Sequence, residues 1–257
     1  MRVWNSVEQW VERRSALSAQ TIGFVPTMGA LHRGHAALIE RCRAENGIAV
    51  VSIFVNPLQF NDPKDLDRYP RTMERDLMLL ENLNVDDVFV PSPAEMYPQG
   101  CRFYVEEASS TAIMEGLHRP GFFKGVMTVV LKLLNLVRAD RAYFGEKDFQ
   151  QLKIIQGMVN DFFIPTEIVA CPTVREPSGL AESSRNALLS AAGRERAGSI
   201  FQVLTSASTP EQARTQLEAC GFSVDYVEDH WGRRFAAASL EGVRLIDNVA
   251  LPAGTRP

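Results

Sequence analysis

Hydrophobic positions recur along the chain in two alternating patterns. Short runs such as TIGFVPTMG from Thr21, IAVVSIFV from Ile48, VDDVFVP from Val85, RAYFG from Arg141 and TEIVACPTV from Thr166 are nearly continuous, and several are rich in β-branched side chains. That is the pattern of strands covered on both faces, as in a parallel sheet. FYVEE, Phe103 to Glu107, is predicted as a further strand. Helix-period segments lie between these runs. They cover about Arg33 to Glu45, with Leu38, Ile39 and Cys42 on one face, then about Thr72 to Asn82, KGVMTVVLKLLNLV from Lys124, and DFQQLKIIQGMVNDFF from Asp148. A polar loop, NPLQFNDPKDLDRYP from Asn56, separates the second strand from the second helix. This alternation predicts an α/β fold, a parallel sheet with helices on both faces. Ligands in such sheets bind beyond the carboxyl ends of the strands, and here polar motifs follow the strands at Pro26, Val55 and Phe144.

After Val174 the pattern changes. REPSGLAESSRN holds several turn formers and little periodicity. Helical segments are expected around Ser190–Ser206 and Pro210–Cys220, and short strands at FSVDYVED, RRFAAAS and VRLIDNVAL. A boundary near Val174–Glu176 divides the chain into a first domain, residues 1–175, and a second, residues 176–257. The second is small for an independent core and is expected to lean on the first or on a partner chain.

Composition narrows the functional classes. The chain has 257 residues, 46% of them hydrophobic, with 27 Lys plus Arg against 31 Asp plus Glu and a net charge of −4. No global basic face points to nucleic acid, although a local basic pocket for a small anion needs only a few residues. No run approaches the roughly 18 apolar residues of a membrane span, and the charged N-terminus has no signal-peptide core. Cys42, Cys101, Cys171 and Cys220 lie far apart without a C-x-x-C, so reduced thiols in a cytoplasmic protein are expected rather than a zinc site or disulfides.

PTMGALHRGH, Pro26 to His35, is the most informative motif. A buried strand runs through a glycine-containing turn into a helix, and His32 and His35 fall on one side of its first turn. Free N–H groups and the positive dipole end suit a phosphate there, and two imidazoles can follow charge as it builds on phosphorus. The plain alternative, a surface histidine followed by a core histidine, is the weaker reading for two of only four histidines. Lys147 stands just after a strand, where an ammonium can neutralise a leaving pyrophosphate. Asp148 reads as a partner of a ribose hydroxyl or hydrated magnesium, or with Gln151 as a capping box. SGLAESSRN places hydroxyls beside Arg185, which suits phosphate but also any loop. Asn56 and Gln59 follow the most buried strand, as substrate contacts or as turn formers.

Taken together, PTMGALHRGH, SIFVNPLQF, YPRT, FGEKDFQQL, PTVRE, SSRN and RLIDN, spread over about residues 20 to 250, resemble the pantothenate synthetase (pantoate–β-alanine ligase) family. That family belongs to the nucleotidyltransferases with a His-x-Gly-His signature. The signature alone would leave cytidylyltransferases, adenylyltransferases and some tRNA synthetases open. The resemblance implies a Rossmann-like domain followed by a small α+β lid domain, shortened here, and a homodimer. It implies that pantoate and ATP give pantoyl adenylate and pyrophosphate with magnesium, and that β-alanine then displaces AMP. By matching motif, His35 is the catalytic histidine, with His32 and Lys147 beside it in catalysis. ATP is held by Met28, Gly29, Ala30, Leu31, His32, Arg33, Gly34 and His35, and by Gly145, Glu146, Lys147 and Asp148 with the backbone at Val174. Glu182, Ser183, Ser184 and Arg185 complete the nucleotide set, and Gln59 and Gln151 bind pantoate. No magnesium ligand is assigned. Phe122 stands where the family usually has histidine, and Glu182 where it usually has an apolar residue. A carboxylate beside Ser183 is therefore expected to point away from the nucleotide, or its loop to be mobile.

Overall fold

The computed structural model describes residues 1–17, 20–60, 63–98 and 100–252. Asn61 and Asp62 of the polar loop and residues 253–257 of the second domain thus lie outside the described residues. The chain forms two compact units, Met1–Gly145 with Gln150–Cys171, and Glu146–Phe149 with Pro172–Pro257.

The first unit is built on six parallel strands: β1 (Arg2–Trp4), β2 (Ile22–Thr27), β3 (Ile48–Ile53), β4 (Asp87–Phe89), β5 (Arg141–Gly145) and β6 (Glu167–Cys171). Their order is β1-β4-β3-β2-β5-β6. From β2 the chain winds outward through β3 and β4, then returns to add β5 and β6 on the other side. The order in which strands are added thus reverses between β2 and β5, the point where doubly wound folds carry their ligands. Its helices are α1 (Val7–Ser15), α2 (Arg33–Glu45), α3 (Pro63–Arg68), α4 (Met73–Asn82), α5 (Pro93–Met96), α6 (Met114–His118), α7 (Phe122–Val137) and α8 (Phe149–Asp161).

Alternation along the strands decides which helix each face buries. Val25, Val51, Val88 and Tyr143 join Ile39 and Cys42 of α2 and Leu80 of α4 in one core cluster. The neighbouring position, Phe89, meets Trp10 of α1 at 5.5 Å between ring centroids. Trp10 is wholly buried, and its indole nitrogen donates to the Leu136 carbonyl of α7. β3 is buried at all six positions, as its unbroken apolar run requires. β1 carries too short an apolar run to be read from the pattern. Trp4 anchors it by donating to the buried Asp87 carboxylate, which also receives Arg13.

The predicted strand at FYVEE is not formed. Val105 donates its amide to Thr128 Oγ1, and the Glu107 carboxylate accepts the amides of Ser109, Ser110 and Thr111. Side chains thus take up one amide of the segment and three of the turn that follows, an alternative to ladder pairing.

The second unit holds α9 (Ala191–Ala197), α10 (Ser199–Ser206) and α11 (Pro210–Ala219), with an antiparallel sheet of β7 (Ser223–His230), β8 (Arg233–Leu240) and β9 (Val243–Ala250). The helix expected as one piece over Ser190–Ser206 breaks at Gly198. Two-residue turns at 231–232 and 241–242 join the strands, with positive φ at both positions of each, the geometry that matches strand twist. Ile200, Leu204, Leu217, Ala236, Ala238 and Leu245 share its core.

Candidate active site

The loop from β2 to α2 is held open by a carboxylate below it. Gly29 and Ala30 both have positive φ, at 79° and 51°. Asp76, in the first turn of α4 and 1% exposed, accepts the Ala30 amide at 2.9 Å and the Leu31 amide at 2.8 Å, one on each oxygen. Thr72 Oγ1 donates to the same carboxylate at 3.1 Å. A Cβ on Gly29 would lie 3.1 Å from Asp76 Oδ2, so this close approach needs glycine. Thr27 Oγ1 donates to the Ser52 carbonyl and accepts the Gly29 amide, which ties the loop to the ends of β2 and β3. Asp76 and Thr72 are absent from the sequence-derived site. An acid in a first helical turn reads as an ordinary dipole partner.

The chain then enters α2 with His32 at the N-cap. His32 Nδ1 accepts the Gly34 amide at 3.1 Å, and His35 Nδ1 accepts the His32 amide at 3.4 Å. The rings lie 4.1 Å apart between centroids. A ring nitrogen that accepts a hydrogen bond carries no proton, so each neutral imidazole bears its proton on Nε2. The first turn of α2 therefore carries two Nε2–H groups on neighbouring rings. Met28 is half-buried, as are Gly34 and His35, while Arg33 is exposed.

Beyond β3, Asn56 is buried and fixes the turn Pro57–Gln59. Its Oδ1 accepts from Tyr97 Oη at 2.7 Å and from the Leu58 amide at 3.3 Å. Its Nδ2 donates to Gln59 Oε1 at 3.0 Å and to the Gly125 carbonyl at 3.1 Å. Gln59 is left leading with Nε2, which sits 2.9 Å from Met28 Sδ. Burial pushes the Tyr97 phenol above its usual range, so it remains a donor. The structure thus brings Gln59 to Met28 of the β2–α2 loop, although 31 residues separate them. Gln151 is half-buried and makes no side-chain hydrogen bond among the described residues, which weighs against the capping-box reading. Its neighbour Gln150 does the structural work: it is buried and bonds Ser110 O, Ile113 O and the Glu115 amide.

The other predicted residues, apart from Gly145 at the end of β5, belong to the second unit. Glu146–Asp148 form a single 3-10 turn. Lys147 is half-buried and its ammonium has no acidic partner among the described residues. Val174 O accepts the Glu182 amide, and Arg175 bridges to Ala181, which closes the 174–182 loop on itself. Ser183 caps the turn that follows by accepting the Arg185 amide at 3.2 Å. Ser184 is half-buried, and the Arg185 side chain is exposed with no partner among the described residues. Asn186 is buried and ties Glu176 to the Ala181 carbonyl.

Comparison with known proteins places this arrangement. The family model described as pantoate-beta-alanine ligase matches residues 1–250. A pantothenate synthetase of Bdellovibrio bacteriovorus is 52% identical over 251 residues, 98% of each chain. One from Legionella pneumophila is 47% identical over 98% of this chain and all of its own. The chain belongs to the pantoate–β-alanine ligase family. Among solved members, the Francisella tularensis ligase, complexed with beta-gamma ATP and β-alanine, superposes with a TM-score of 0.93 at 42% identity, covering 97% of each chain. The Thermus thermophilus pantothenate synthetase gives 0.91 at 43% identity, over 98% of this chain and all of that one. The Rossmann-like first sheet and small second sheet are thus the fold of the ligase family.

Phe122 and Glu182, singled out in the sequence, have defined surroundings. The Phe122 ring carries the Arg119 guanidinium 3.6 Å above its centroid, and Arg119 donates to the Gln59 carbonyl at 3.3 Å. Phe122 thus supports the backbone of Gln59. Glu182 is buried, at 8% exposure. The Arg194 guanidinium is held above its ordinary range chiefly by its bond to Glu176, with the Glu182 charge adding to the effect. Glu182 therefore has a cation within electrostatic reach inside its own unit.

Proposed function

We propose that this chain joins pantoate to β-alanine with ATP, through pantoyl adenylate. The observation that carries this reading is the pair of Nε2–H donors, His32 and His35, at the start of α2. A pantoate carboxylate oxygen attacks the α-phosphorus, pyrophosphate leaves with the bond electrons, and the β-alanine amine then attacks the acyl carbon. The products are pantothenate, AMP and a proton. The two imidazoles donate to α- and β-phosphate oxygens and strengthen as charge develops there. His35 serves as the catalytic histidine and His32 as its companion.

Met28 to His35, Gly145 to Asp148, Val174 and Glu182 to Arg185 form the nucleotide-binding set in this reading. Lys147 and Arg185 stabilise the departing pyrophosphate. Gln59 and Gln151 hold pantoate. A neutral amide that leads with N–H orients a carboxylate without quenching its nucleophilicity, as a paired arginine would. The absence of a hydrogen bond on Gln151 among the described residues leaves its amide available for that role.

Magnesium belongs to the same proposal. Among the described residues, no three His, Cys, Asp or Glu side chains gather into a metal cage. A magnesium ion here would be carried by phosphates and water, its usual mode with nucleotides, and would offset phosphate charge. We place the nucleotide- and pantoate-binding functions in residues 1–175 and the lid function in residues 176–257, in a cytoplasmic homodimer that binds no nucleic acid and no membrane. No described helix is long and apolar enough to cross a membrane, and the four cysteines are free thiols. The test is product formation: pyrophosphate should appear only with pantoate, and AMP only once β-alanine is added.

A further inference from the structure

Lys147 stands in a one-turn segment, and nothing within its own side chain fixes where a flexible four-carbon stem projects. The backbone of that turn is held from outside. Asn248 of β9 is 1% exposed, and its Nδ2 donates to both the Glu146 and Lys147 carbonyls, each at 2.9 Å. Two hydrogens meet two acceptors, so the amide nitrogen is fully used. Its other end is set as well. Asn248 Oδ1 accepts from Arg233 Nε at 2.5 Å. Arg233 also lies 3.5 Å from the Glu146 carboxylate and 4.6 Å over the Phe149 ring. A flipped amide would aim an oxygen at two carbonyls and an NH₂ at a guanidinium, so Arg233 dictates the orientation. The Asn248 backbone N–H donates to Asp247 Oδ1, and the Asp247 carboxylate accepts from Arg175 Nη1 and Nη2 at 2.6 and 2.9 Å.

We infer that Asn248, oriented by Arg233, is a positioning residue for Lys147 in the adenylation step. This gives the RLIDN motif a function beyond folding, and it rests on the proposed role of Lys147. An asparagine that served packing alone would not need both hydrogens on consecutive carbonyls of the turn that carries the cation.

The test is a double-mutant cycle on pantoate-dependent pyrophosphate release, with Asn248→Asp and Lys147→Met made singly and together. Asn248→Asp keeps the volume and the acceptor for Arg233 but replaces the donor. It should slow pyrophosphate release roughly 10- to 100-fold, the effect of a catalytic group displaced by about an ångström. The KM for pantoate should be unchanged. In the Lys147→Met background the same change should cost nothing further. If Asn248→Asp does not fold, Arg233→Met is read in its place, with a several-fold loss expected only when Lys147 is present. An equal loss in both backgrounds, or no loss in the wild-type background, overturns the inference. A slow Lys147→Met with an intact Asn248→Asp overturns this inference alone. An intact Lys147→Met overturns the role of Lys147 and this inference together.

Discussion

Asn56 turns the Gln59 amide: Asn56 Nδ2 donates to Gln59 Oε1 at 3.0 Å, so Gln59 leads with its N–H. Asn56→Asp replaces that donor with a carboxylate oxygen and makes Gln59 turn its own NH₂ inward. The carbonyl of Gln59 would then face the pantoate carboxylate. A lost hydrogen bond to a charged group is worth about 1.5–3 kcal/mol, so the KM for pantoate should rise about 10- to 100-fold. The KM for ATP should stay within about twofold. Steady-state kinetics with each substrate varied separately check this.

Asp76 bears the loop that delivers the histidines. Asp76→Asn sets an NH₂ group against the Ala30 or Leu31 amide at a position only 1% exposed. The expected cost is about 2–3 kcal/mol in urea unfolding, from one amide left unbonded and one charge-assisted bond lost. Adenylation should fall further than stability alone explains, since His32 and His35 follow directly. Denaturation midpoints, with pyrophosphate release measured well below the transition, separate the two effects.

Gly125 of α7 lets that helix approach the Pro57–Gln59 turn. An added Cβ would fall 2.8 Å from the Gln59 amide nitrogen and closer still to the Leu58 carbonyl. Backbone must move, because no flexible side chain lies there to yield. Gly125→Ala should therefore raise the KM for pantoate at least several-fold and lower stability by about 1–3 kcal/mol, the usual cost of overpacking.

Cys42 lies between α2 and the sheet, and burial, chiefly, pushes its thiol up to about 12. An unfolded cysteine ionises near pH 8.5. The native thiol should thus resist iodoacetamide at about pH 8.5 and react promptly in denaturant. The raised value also means that stability declines as pH rises above the unfolded value, since only the unfolded thiol ionises there. Mass mapping of alkylated cysteines and unfolding at two alkaline pH values check both statements.

The legible parts of this molecule were those whose signal is local. The apolar run at Ile48 reads directly as the fully buried β3, and His32 with His35 sit on one turn of α2 because three residues span one helical turn. What the pattern hides is contact at a distance. Asp76 reaches Leu31 across 45 residues, Tyr97 reaches Asn56 across 41, and Asn248 reaches Lys147 across 101. Nothing in their neighbourhoods distinguishes these polar residues from ordinary turn and cap residues until the fold juxtaposes them. FYVEE errs for the opposite reason. Its local pattern suits a strand, but Thr128 and Thr111 hydroxyls take up its Val105 amide and Glu107 carbonyl instead.

The central claim is that this chain adenylates pantoate with its paired imidazoles, and a single-turnover assay of pyrophosphate release tests it most directly. With ATP and pantoate but no β-alanine, the wild-type chain should release pyrophosphate in an amount matching the enzyme, and AMP should follow only when β-alanine is added. His35→Ala should slow the first release about 10²–10³-fold, the usual cost of one donor to a developing charge. Pyrophosphate release that is independent of pantoate, or a His35→Ala rate within a few-fold of wild type, would contradict the account.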